Sequence, residues 1–147
     1  FLVPKRTTSD EIDESLLHRL REPLREAASV VAPCALELRR LNSWDTAPFV
    51  EAHSTGHIIE LRAAIITRTP FLQDFNYVGG FMPHMSIAYY NASGSAEEII
   101  AALRPMRYRK LGWLRINTMQ LVEGLVDDLH APYQVLEEYP LGTAVSR

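Results

Sequence analysis

The feature that most constrains the fold is the alternation of two hydrophobic periods along the 147 residues. Segments with apolar residues every three or four positions, typical of amphipathic helices, are separated by short segments in which apolar and polar residues alternate, typical of strands. The predicted order is strand, helix, strand, strand, helix, strand, helix, strand, strand. This order predicts an α+β fold with a mixed sheet and helices on its outer face.

Capping patterns and prolines indicate where two of the helices begin and end. Thr8 and Glu11 form a capping-box pattern ahead of the first helix, which Pro23 is expected to kink or divide. Ser95 and Glu98 form a second capping box ahead of a short helix in the segment "ASGSAEEIIAAL". The segments "CALELRRL", "FVEAH", "LRINTMQLV" and "YQVLEEY" are predicted to be strands.

Composition excludes several classes of function. The net charge of −3 and the pI near 6.0 give no broad basic surface for non-specific DNA binding, although a local pocket can still hold a nucleotide or a short RNA end. No apolar run approaches the roughly 20 residues that cross a bilayer, and no secretory signal is visible, so a cytoplasmic location is expected by default. The single cysteine, Cys34, excludes an intrachain disulfide and a multi-cysteine zinc site, and its apolar flank predicts a core residue.

The segment "GGFMPHMSIAYYN" carries the chemistry of greatest interest. It is predicted to contain a strand, His84–Tyr90, with His84, Ser86, Ala88 and Tyr90 on one face and an apolar set directed toward the core on the other. The backbones of His84 and Ser86 would lie roughly 6–7 Å apart, so both side chains can reach one phosphate. The imidazole would move a proton and the hydroxyl would donate a hydrogen bond. The alternative is a structural histidine bonded to a backbone carbonyl.

The same segment resembles the second signature of the 2H phosphoesterase superfamily, the 2′-5′ RNA ligase-like proteins. That signature is F-x-P-H-x-[ST]-φ-A, with φ apolar, and six positions match it: Phe81, Pro83, His84, Ser86, Ile87 and Ala88. The resemblance implies a bilobal fold with mixed or antiparallel sheets around a central cleft, to which each lobe contributes one H-x-[ST] strand. It also implies action on 2′,3′-cyclic phosphates or 2′-5′ phosphodiesters, without a metal or another cofactor. One histidine would be the general base and the other the general acid.

The first H-x-[ST] of the family does not stand at its expected place, which would fall immediately before Phe1. The segment "FLVP" is apolar from its first residue, like the end of a strand. We therefore expect residues 1–147 to form a single domain that lacks its N-terminal strand or strands. The alternative is a member that has lost half of the site.

Other side chains are candidates for binding substrate rather than for catalysis. These are Tyr90, Phe81, Tyr77 and His53, with Trp44 able either to stack on a base or to close the core. A zinc site on His53 and His57 would also need a carboxylate ligand, and this alternative is weaker. A basic cluster in "PMRYRKLGW" could steer an anionic end, although such clusters are usually solvated.

The leading hypothesis is a metal-independent phosphoesterase whose visible half-site is His84 and Ser86, acting on a nucleotide or a short RNA end. Neither DNA nor a membrane is expected as a partner. Two alternatives remain: a non-catalytic nucleotide- or RNA-binding protein, and a small-molecule enzyme that uses His84 alone.

Overall fold

The computed structural model describes residues 14–54, 56–75, 81–91, 94–124 and 132–142. Its helices and strands, in chain order, are α1 (Glu14–Ser29), β1 (Cys34–Ser43), β2 (Pro48–His53), α2 (His57–Arg68), β3 (His84–Ser86), α3 (Ala96–Leu103), β4 (Lys110–Ile116), β5 (Thr118–Glu123) and β6 (Gln134–Pro140). Two short 3₁₀ helices, Pro70–Phe75 and Arg104–Met106, follow α2 and α3. All strand pairs among the described residues are antiparallel. The α+β prediction is confirmed.

The chain divides into two compact units. The first contains α1, α2, β5 and β6, and the second contains β1 to β4 with α3. The single domain expected from the sequence stays a prediction. Within the described residues, no helix is both long and apolar enough to cross a membrane.

The first unit is organised around α1, which packs against α2 and β6. Pro23 lies inside α1, and the helix continues through it, so of the two predicted alternatives the division of the helix is excluded, whereas the kink stays a prediction. Proline removes one backbone hydrogen bond, but Leu20 and Leu24 are buried on either side of it and hold both halves of the helix in place. The capping box of Thr8 and Glu11 lies outside the described residues.

A pair of arginines on α1 binds a carboxylate on β6. Arg21 Nε lies 3.3 Å from Glu137 Oε2, and Arg25 Nη2 lies 2.9 Å from Glu137 Oε1. Two residues along β6, Tyr139 is almost fully buried, and this burial, together with the nearby Glu137 carboxylate, raises its pKa to about 12. These contacts attach the helix to the strand.

The second unit is built on a four-stranded sheet with the order β3-β2-β1-β4. One face carries Cys34, Leu36, Leu41, Val50 and Ala52, all buried. The burial of Cys34 raises the pKa of its thiol, as expected for a core cysteine. Arg40 adopts a φ of 61° and forms a bulge, because Arg39 pairs with Glu51 whereas Leu41 pairs with Val50. Because the bulge leaves Arg40 unpaired, Leu41 follows Arg39 in the register and stays on the buried face.

The structure corrects two local predictions and confirms a third. The segment "LRINTMQLV" forms two strands, β4 and β5, that lie in different sheets on either side of Asn117. The predicted strand His84–Tyr90 shortens to β3, and its apolar residues Met85 and Ile87 are exposed rather than buried. Among the described strands, β3 lies at the edge of the sheet and is flanked by β2. The capping box of Ser95 and Glu98 is confirmed.

Candidate active site

The strand register places His84 in a row of charged side chains that crosses the sheet. His84 pairs with Glu51, Glu51 with Arg39, and Arg39 with Lys110. Directly paired residues project from the same side of a sheet. A second row joins His53, Glu37 and Trp113. We call this side the polar face, and its members are Glu37, Arg39, Asn42, Phe49, Glu51, His53, His84, Ser86, Lys110, Trp113 and Arg115.

The imidazole of His84 is exposed and held in one orientation. Its Nδ1 lies 3.0 Å from the carbonyl oxygen of Met82. A carbonyl only accepts, so Nδ1 donates, and the neutral ring keeps its lone pair on Nε2. The indole of Trp44 stacks on Phe49 at 4.0 Å and meets the imidazole edge-on at 4.3 Å. His84 therefore makes the hydrogen bond to a backbone carbonyl that the alternative, structural interpretation predicts. This hydrogen bond engages Nδ1 and not Nε2.

Ser86 lies two residues further along β3, opposite Phe49, and its side chain is exposed on the same face as His84. The first part of the predicted strand is thus present: an imidazole and a hydroxyl project together from one β-strand. Their separation of roughly 6–7 Å at the backbone suits a phosphate held between them. The catalytic roles of His84 and Ser86 stay predictions.

A buried carboxylate lies beside His84 in the register. Glu51 is only 9% exposed, and its Oε2 lies 3.1 Å from His53 Nε2 and 3.9 Å from Arg40 Nη1. Asn42 donates a hydrogen bond to Oε1 at 3.4 Å. His53 is thereby fixed on the polar face next to the row of His84, and its predicted part in substrate binding stays a prediction.

Glu51 is a residue that the sequence interpretation missed, although one signal for it was present. In "FVEAH" a glutamate interrupts an otherwise apolar strand, and the period of two places it on the same side as His53. The sequence allows Trp44 either to stack or to pack, and the structure places it in contact with both Phe49 and His84. No sequence periodicity could show that contact, because Trp44 lies in the turn between β1 and β2.

The remaining predicted binding residues have different surroundings. The Tyr90 hydroxyl lies 2.7 Å from Ser43 Oγ, and Ser43 Oγ donates to the carbonyl oxygen of Trp44 at 2.6 Å, so Tyr90 donates to Ser43. Phe81 is partly exposed ahead of β3, whereas Tyr77 lies outside the described residues. The substrate-binding roles of Tyr90 and Phe81 stay predictions. Among the described residues, no three His, Cys, Asp or Glu side chains are grouped as a metal site requires.

Comparison with known proteins places this architecture in a family. The model of the 2′-5′ RNA ligase superfamily matches residues 4–128. The chain is similar to the crystal structure of TT0787 of Thermus thermophilus, with a TM-score of 0.64 and 19% sequence identity over 90% of this chain and 73% of that one. No curated protein matches the sequence. The family match spans most of the chain and includes the His84 motif, so this protein belongs to the 2′-5′ RNA ligase superfamily of 2H phosphoesterases.

Proposed function

We propose that this protein is a metal-independent phosphoesterase that acts on a 2′,3′-cyclic phosphate or a 2′-5′ phosphodiester of a nucleotide or small RNA. Membership of the superfamily supports phosphoesterase or RNA ligase-like activity in general. The observation that carries the finer proposal is the presentation of His84, whose Nδ1 is engaged by Met82 and whose Nε2 is left as the basic nitrogen. Such a substrate agrees with the cytoplasmic location that the sequence predicts.

His84 Nε2 would take a proton from the attacking water or ribose hydroxyl, or, when protonated, would give one to the leaving oxygen. Ser86 would donate a hydrogen bond to a non-bridging phosphate oxygen. Displacement at phosphorus loses a proton on one side and gains one on the other, so a second proton-transfer group is required. In the resemblance to the superfamily that group is the histidine of the other H-x-[ST] motif, and this stays a prediction.

The test is turnover of 2′,3′-cyclic nucleotides in the presence of EDTA. We expect activity in EDTA and a loss of about 10²–10⁴-fold in His84→Ala, the usual contribution of a general acid or base. His18→Ala is the matched control, because His18 is an exposed histidine on α1 in the first unit. Activity that survives in His84→Ala would contradict the proposal.

The same measurements separate the alternatives. Tight nucleotide binding without turnover would identify a non-catalytic binding protein. Activity that requires added zinc would exclude the metal-independent mechanism. It would favour the alternative of a zinc site at His53 and His57. Turnover confined to substrates without a phosphate would favour a small-molecule enzyme that uses His84 alone.

A further inference from the structure

An exposed tryptophan lies on the polar face at the edge opposite His84. Trp113 of β4 is 72% exposed and pairs with Glu37 of β1. β3 and β4 are the two outer strands of the sheet, and His84 and Trp113 project from the same side of it. Proteins that bind single-stranded nucleic acids stack nucleobases on exposed aromatic side chains that lie on charged surfaces.

A β-bulge brings a cation next to this tryptophan. Lys110 pairs with Arg39 and Gly112 pairs with Leu38, so Leu111 is the extra residue in β4. Gly112 has a φ of 135°, a conformation that side chains rarely adopt, and it allows the strand to turn at this point. In a regular strand Lys110 and Trp113 would project from opposite faces, because they are three positions apart, and the bulge brings them to the same face.

The charge of the polar face differs in sign from that of the whole chain. Three cations, Arg39, Lys110 and Arg115, stand against the two carboxylates Glu37 and Glu51. The balance is +1, whereas the net charge of the chain is −3. Glu37 is paired with Lys110 at 3.3 Å and with Arg39 at 3.5 Å, so the negative charge of Glu37 is compensated. A local positive surface with an exposed aromatic suits a single-stranded nucleic acid.

We propose that the polar face binds single-stranded RNA, with the reactive end at His84 and a base stacked on Trp113. From β3 to β4 there are three strand spacings of about 4.8 Å, roughly 14 Å in all. A stacked strand rises about 3.4 Å per nucleotide, so the face accommodates about four nucleotides. This inference rests on the proposed function for the placement of the RNA end, and it specifies an oligonucleotide rather than a mononucleotide as the preferred ligand.

The test is the binding of labelled single-stranded RNA, from mono- to pentanucleotide, that carries no cyclic phosphate, followed by fluorescence anisotropy. Affinity should rise with length and level off near four nucleotides. Trp113→Ala should weaken binding of the longer RNAs by about tenfold, within the range for loss of one aromatic–base stack, and Trp113→Phe should restore much of it. Lys110→Gln should reduce the salt dependence of log affinity by about 0.7, as for one phosphate contact on a single strand.

Tyr108→Ala is the matched control. Tyr108 is 81% exposed and lies in the turn before β4, outside the polar face. It should bind RNA like the wild type. Equal losses in Trp113→Ala and Tyr108→Ala, no loss in either, or no RNA binding by the wild type would each overturn the proposal. Thermal unfolding of both variants should match the wild type, because both rings are largely exposed.

The outcome is separable from that of the proposed function. The labelled RNA has no cyclic end, so its binding can be measured whether or not the protein is a phosphoesterase. Turnover that depends on His84, together with binding that is indifferent to Trp113, would reject only the RNA-binding face. Length-dependent binding that needs Trp113, without turnover of any cyclic phosphate, would reject only the catalytic proposal.

Discussion

Glu137 in the first unit and Glu51 in the second are both glutamates on strands, but their partners differ. Glu137 is bound by two arginines of α1 at 2.9 and 3.3 Å, and these ion pairs join a helix to a strand. Glu51 is less exposed, yet its nearest partner is the imidazole of His53 at 3.1 Å, and its arginine lies at 3.9 Å. The first arrangement stabilises the fold, whereas the second positions a histidine beside the candidate site.

The largest change in stability and turnover is expected when Glu51 is replaced. Glu51→Ala leaves His53, Asn42 and Arg40 without a shared acceptor, so the free energy of unfolding should fall by about 1–3 kcal/mol. Turnover should fall as well, since His53, a predicted substrate-binding residue, loses the carboxylate that positions it. Denaturant unfolding and cyclic nucleotide hydrolysis measure the two effects.

Glu51→Gln is the control for shape, because the amide keeps an acceptor for Asn42 at the same position. It should retain more stability than Glu51→Ala. If both variants unfolded and turned over substrate like the wild type, Glu51 would have no positioning role.

A smaller effect is expected at Glu137. Its two arginines are about half exposed, and exposed ion pairs contribute about 0.2–1 kcal/mol each. Glu137→Ala should therefore lower the free energy of unfolding by about 1 kcal/mol, with little change in turnover. Added salt should narrow the difference between this variant and the wild type, because salt screens exposed charges.

A loss of turnover in Glu137→Ala as large as that in Glu51→Ala would remove the distinction between the two glutamates. So would a difference in stability that does not respond to salt.

The smallest effect at neutral pH concerns Tyr139, whose pKa is raised to about 12 by burial. Its pKa in the unfolded chain is about 10, so between pH 10 and pH 12 the unfolded state loses the proton while the folded state keeps it. The stability contributed by the neutral phenol is therefore complete below pH 10 and decreases toward pH 12. Tyr139→Phe should lessen this decrease, as measured by thermal unfolding across that range. A phenylalanine variant with the same pH dependence would assign the effect to other groups.

Features that depend on local pattern could be predicted from the sequence. The α+β class, the capping box of Ser95 and the strands β1, β2 and β6 follow from periods and caps that neighbouring residues define. The exposure of Met85 and the break at Asn117 could not be predicted, because they depend on which strand becomes an edge and which sheet a segment joins. The continuity of α1 through Pro23 could not be predicted, because packing on both sides of the proline outweighs the local rule that proline divides a helix.

The same distinction between local pattern and long-range pairing applies to the candidate site. His84 and Ser86 could be proposed as candidates from the sequence because their motif is contiguous, and their roles stay predictions. The row of paired residues from His84 to Lys110 depends instead on how the four strands are aligned with one another. Register depends on the bulges at Arg40 and Leu111, and a single sequence gives little sign of either.

The bulge at Arg40 makes this hairpin respond differently to the loss and to the gain of one residue. A chain that lacked only Arg40 would pair Arg39 with Glu51 and Leu41 with Val50 as consecutive residues of a regular ladder, so every side chain beyond it in β1 would keep its side. One more residue inserted beside Arg40 without a second bulge would instead exchange those sides. Leu41 would then face water and Asn42 would enter the hydrocarbon interior, so an insertion at this point should be far more damaging than the deletion of Arg40.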